Sequence, residues 1–291
     1  MRDNVTLSEK CIELANHVVD DPDEPAAPAG GGGFSKAFQI AANMLRIGAE
    51  ETYRSLETLL ERTPAIRDAF GIDTDDVPDS SSVCKWYQDL AMEVWRLPLR
   101  HSAEVAGVSG RAAINSTFFE RHQASSHYVS RTDYTFDKLK VTLLVDIESH
   151  AVIDVHCTTR KTHDTQIGMQ VARRNAEDLQ VLLSDKGYDW QDLREYLRAQ
   201  GVRPVIKHRE FTPLDKAHNA RMDADLCGQR AISETVNSSI KQRFGSELTA
   251  TTWYGEFREL VIKCIVHNLR RGGDVAAARL PGRRRGGQRH R

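Results

Sequence analysis

Nowhere in this 291-residue chain does a run of about eighteen uncharged apolar residues occur, so no membrane-crossing helix is expected. The N-terminus, MRDNVTLSEKCIELANHVVDD, is acidic and has no apolar core of the kind a secretory leader needs. The protein is therefore expected in the cytoplasm. Cysteine is scarce: Cys11, Cys84, Cys157, Cys227 and Cys264 are odd in number, widely spaced, and contain no CxxC pair. They read as reduced thiols rather than a disulfide framework. His156, Cys157 and His163 match no established zinc-ligand spacing.

What is present is ordinary for a globular protein, with 40% hydrophobic and 28% charged residues. The net charge of −1 hides a gradient. Residues 1–100 carry 10 Lys/Arg against 18 Asp/Glu, and residues 201–291 carry 18 against 9. A basic last third suits a polyanionic partner. Six of its arginines lie in residues 279–291, a Gly/Arg-rich tail expected to be disordered, so charge alone is weak support.

Residues 1–105 read as a mostly helical region, interrupted by the acidic Pro/Gly linker 21–34. SVCKWYQDLAMEVWRLPLR reads as one helix capped by Asp79 or Ser80. From residue 106 the pattern changes. RAAINSTFF is a strand candidate, residues 138–146 and 151–158 read as two more, and two helices then alternate with the short strands LQVLLS and GVRPVIKH. A long polar loop is expected over REFTPLDKAHNARMDADL, followed by two amphipathic helices. Three strands followed by strand–helix alternation predict an α/β mixed five-stranded sheet flanked by helices, the order of an RNase H-like core. Such a core gathers acidic side chains at one sheet edge, where they can hold two divalent ions.

Asp185 ends an apolar strand and precedes a Gly turn, the position at which a carboxylate is fixed by the sheet yet open to a crevice. In QRAISETVNSSIK, helical geometry aligns Arg230, Glu234 and Lys241 at about 300°, 340° and 320°, counting from Cys227. A solvated i,i+4 pair explains Arg230 with Glu234 at a few tenths of a kcal/mol, but not the third member of the row.

DKGYDW, GVRPVIKHREF, AHNARMD and QR-x3-E-x6-K together resemble the transposases of prokaryotic insertion sequences, the DDE group with a Y-x2-R-x3-E-x6-K signature. The similarity runs from about residue 110 to 272, within a domain expected over 106–272, with 273–291 as a basic tail. The resemblance implies a metal-dependent (Mg²⁺ or Mn²⁺) enzyme that cleaves and joins strands of double-stranded DNA at element ends and target. It leaves room for a homodimer. Asp185 and Glu234 are then metal ligands, and Arg230 and Lys241 contact phosphates. Two positions depart from the pattern. Cys227 stands where the signature has tyrosine, and Asn115 stands in A-I-N-S-T where related sequences read I-D-S-T. Asparagine matches aspartate in shape but is neutral, so catalysis is expected to be impaired. Asp146 and Asp154 are the candidate substitutes, while Asp164 in THDTQ reads as a helix cap. A catalytically inactive DNA-binding relic is the alternative. A plain nuclease of this fold needs the same acids, but the Arg/Lys row argues against it.

Overall fold

The computed structural model describes residues 2–27, 33–121 and 135–273. Part of the expected linker and nearly all of the basic tail therefore lie outside the described residues. Six helices come first: α1 (Arg2–Val18), α2 (Lys36–Gly48), α3 (Tyr53–Arg62), α4 (Pro64–Phe70), α5 (Ser80–Asp89) and α6 (Met92–Ala106). Their starts follow local chemistry. Ser35 accepts from Phe38 N, Thr52 and Ser55 form a reciprocal box, Pro64 opens α4, and the Asp79 carboxylate accepts from Ser81 N and Ser82 N. The single helix expected over 82–100 is two. The chain breaks at Leu90, whose carbonyl accepts from Arg258 Nη2 at 2.8 Å. A distant guanidinium thus takes up a helix-end carbonyl that the local sequence leaves open.

Strands β1 (Arg111–Arg121), β2 (Thr135–Asp146), β3 (Val152–Arg160), β4 (Val181–Ser184) and β5 (Arg203–Ile206) form a mixed sheet in the order β3-β2-β1-β4-β5. β1 is antiparallel to β2 and parallel to β4. A two-residue strand, β6 (Glu247–Leu248), pairs with the far end of β1. Helices α7 (Asp164–Asn175) and α8 (Gln191–Ala199) flank β4 in sequence, as the alternation predicts. They bury Ile167, Val171, Leu193 and Leu197 against Ala112, Ile114 and Leu182.

The expected loop before the polar row holds two short helices, α9 (Pro213–Ala220) and α10 (Ala224–Gly228). Thr212 and Asp215 form a capping box with Pro213 at the first turn, and Asp223 caps α10. α11 (Ala231–Phe244) and α12 (Trp253–Arg271) close the fold. Val236 and Ile240 of α11 join Phe119, Leu139, Val141 and Leu143 in a core that also contains α1, α2 and α12. α12 is buried from Gly255 to Leu269. Its Asn268 exchanges two hydrogen bonds with the Val152 backbone on β3, at 2.8 and 2.9 Å, and also donates to Ser102 Oγ. One carboxamide thereby satisfies part of the outer edge of β3, which α12 covers here.

Candidate active-site edge

Successive β1 side chains alternate between the two faces of the sheet. Ala113, Asn115, Thr117 and Phe119 take the α11 face; Ala113 packs with Leu183, and Phe119 packs with Val236 and Ile240. The parallel pairing sets Ala113 beside Leu183. The ladder ends there: Asn115 lies two residues further along β1, and Asp185 follows the last residue of β4, so by alternation both fall on the face of Ala113 and Leu183. Asp185 stays extended (φ −80°, ψ 177°) and accepts from Gly187 N at 2.7 Å, which closes a 3₁₀ turn over Lys186–Tyr188. A Cβ at 187 would stand 2.8 Å from Asp185 Oδ1, so a side chain there would push the carboxylate from its place.

The polar row is built differently from a continuous helix. α10 ends at Gly228 and α11 begins at Ala231. Arg230 is joined to Cys227 and Ser233 by i,i+3 backbone bonds. Cys227 therefore does not share a helix with Glu234 and Lys241. It still meets Asp185 and Arg230, because all three line one cavity of about 780 Å³ together with Lys186, Lys207 and His208.

Arg230 Nη1 donates to Glu234 Oε1 at 2.9 Å. Lys241 reaches the sheet, where its Nζ donates to Thr117 Oγ1 at 2.6 Å and lies 5.1 Å from the centre of the Phe119 ring. Burial holds the Lys241 ammonium below its ordinary pKa, opposed by the Glu120 carboxylate. At the other end of the row, Arg111 Nη2 donates to Gln229 Oε1 at 3.0 Å. With both ends pinned to β1, α11 runs alongside it in the same direction. At about 1.5 Å per helical residue and 3.3 Å per strand residue, Glu234 and Asn237 fall level with residues 113 to 115.

Asn237 was invisible to sequence reasoning. It is only 6% exposed, and neither atom of its amide has a partner among the described residues. A buried carboxamide without partners is costly, and this one sits on α11 at the level of Asn115.

The candidate substitutes for Asn115 are otherwise occupied. Asp146 is fully buried and accepts from the backbone N–H groups of Ser109, Glu148 and Ser149 and from the hydroxyls of Ser109 and Ser149. Asp154 is held by Arg96, Arg174 and Asn175. Asp164 makes no side-chain cap on α7. Its Oδ1 instead meets Lys140 Nζ at 2.8 Å and Ser116 Oγ at 3.0 Å, and Ser116 also bonds Thr142 Oγ1 and the Tyr188 hydroxyl.

Oxygen donors suit Mg²⁺ or Mn²⁺, but the set present does not make up a two-ion site. Among the described residues no three His, Cys, Asp or Glu side chains come together as a metal-holding group. Asn115 Oδ1 is turned onto its neighbour, accepting from Ser116 N at 2.8 Å. Asp185 shares its cavity with Glu210, whereas Glu234 lies outside that lining, half-exposed and paired with Arg230.

Compared with known proteins, the chain matches the family model described as the transposase DDE domain over residues 108–269. No curated protein matches it. The family match covers more than half of the 291 residues and the whole of the sheet with its row helix; the chain belongs to the DDE-domain transposases.

Proposed function

We propose that this protein is the transposase of an insertion sequence that binds double-stranded DNA at the element's ends and target, with strand cleavage and transfer impaired by Asn115. The observation that carries the reading is the row on α11. Arg230 lines the Asp185 cavity, and Lys241 is anchored to β1 two residues beyond Asn115. Arg230 offers a planar fork and Lys241 a point charge, the two chemistries that phosphate oxygens accept. Asp185 and Glu234 are the oxygen donors that would hold Mg²⁺ or Mn²⁺. Cys227 stands at the cavity wall, where a tyrosine would offer a ring and a stronger donor.

The catalytic part is residues 106–272, preceded by the helical region 1–105 with its linker 21–34 and followed by the basic tail 273–291. The protein acts in the cytoplasm, where two copies can pair on the two ends of an element. A second reading, an inactive DNA-binding protein of the same fold, is favoured by one observation: the acids nearest Asn115 are already spent on structure.

Titrating a duplex bearing the element's terminal sequence at increasing salt tests the DNA reading. Affinity should fall steeply as phosphate-bound counterions are released. Lys241→Ala should make the log–log slope shallower by about one unit. An unchanged slope would return Lys241 to a purely structural anchor for α11.

A further inference from the structure

Away from the Asp185 cavity, a second cavity of about 520 Å³ opens between α2, α5 and the start of α12. We propose that it is an anion site that takes a phosphate ester, held by Arg46, Arg258 and the N-terminal turn of α12. Three independent features point there. The Arg46 guanidinium makes no hydrogen bond or ion pair among the described residues. It is held only by ring contacts, its guanidinium carbon 4.2 Å from the Tyr53 centroid and 5.3 Å from that of Tyr87, and its buried Nε is unpartnered. Arg258 is 9% exposed and lines the same cavity; one of its nitrogens is used by the Leu90 carbonyl, and its Nε has no partner. The start of the 19-residue helix that carries Arg258 lines the cavity too. Thr252 caps it by accepting from Gly255 N at 3.1 Å, leaving the N–H groups of Trp253 and Tyr254 without intrahelical acceptors.

The acid in the lining does not answer these cations. Glu259 accepts from Thr249 N at 3.0 Å and Ala250 N at 2.9 Å and pairs with Lys263 at 2.8 Å. The cavity thus joins two guanidinium groups with free donors to the positive end of a helix dipole, a combination that selects an anion with several oxygens. Tyr254, 59% exposed at the rim, offers a ring to a base attached to that phosphate.

The test measures the melting temperature of the whole chain against inorganic phosphate, with chloride added to equal ionic strength as control. Phosphate should raise it and chloride should not. In Arg46→Gln the phosphate concentration needed for half the rise should increase at least tenfold. Should Arg46→Gln lose its circular dichroism, Arg46→Lys, which keeps the charge without the fork, is expected to weaken the response at least threefold. Duplex DNA distinguishes the source of the phosphate. A salt slope shallower by about one in Arg46→Gln assigns the site to the DNA backbone, and an unchanged slope assigns it to a free phosphate ester. A phosphate response equal to that of chloride, or unchanged in the Arg46 variants, overturns the proposal.

Discussion

Asp146 is paired with Ala112, three positions along β1 from Asn115, and by sequence it is the obvious acid to stand in for the missing one. Its five hydrogen bonds make it a staple for the loop before β1 and the β2–β3 turn instead. Asp146→Asn would turn two N–H donors of the amide toward donors that now face a carboxylate. A destabilisation of at least about 2 kcal/mol is expected, because a buried charged acceptor is replaced by a mismatch. Chemical denaturation checks it, and an unmoved midpoint would contradict the staple. At this scale the sequence was partly legible. Asp185, Glu234, Arg230 and Lys241 stand out by spacing, because strand ends and helix faces have fixed periods. Spacing says nothing of what a carboxylate is already bonded to, so Asp146, Asp154 and Asp164 could be sorted only in three dimensions. Asn237 gave no signal at all, since an asparagine among serines on a helix is usually solvated.

At the scale of elements, the succession of strands along the chain and the two helices flanking β4 follow from apolar periodicity, and they were legible because a sheet buried on both faces leaves long apolar runs. The splits were harder. α5 and α6 part where Arg258, 168 residues away in sequence, meets Leu90. α9 was legible in principle, because T-P-L-D is a capping box with proline at the first turn. It was hidden by the polarity of the segment around it: α9 has no buried residue. β3 makes a pH-dependent claim. His156, opposite Thr142, has its pKa lowered to about 4, chiefly by burial and then by Arg174. The unfolded imidazole takes a proton near pH 6.5, so between there and about 4 the unfolded state binds more protons than the folded one. Stability from this group is full above about pH 6.5 and is lost as the pH falls toward 4. Urea melts from pH 7 to 4 should show that decline, and His156→Gln should flatten it. An equal decline in the variant would place the acid sensitivity elsewhere.

Across the whole molecule, the N-terminal helices and the mixed sheet share one core. α12 runs through it from Arg46 and Tyr87 at its start to Val152 and Ser102 near its end. That continuity was not readable from the chain, where a composition shift near residue 106 suggests a boundary rather than a packing surface. It also means that restoring one atom at β1 should leave the rest of the scaffold undisturbed, since Asn115 and aspartate have the same shape. Loss of a preorganised electrostatic group commonly costs about 10²–10³ in rate. The measurement that tests the account most directly is therefore cleavage of element-end DNA with Mg²⁺ or Mn²⁺ by the protein as it stands, by Asn115→Asp, and by Asn115→Asp combined with Glu234→Gln. The account predicts little cleavage by the first, a gain of at least about 10²-fold in the second, and loss of that gain in the third. Strong cleavage by the unaltered protein, or no gain on restoring the acid while folding and DNA binding stay intact, would contradict it.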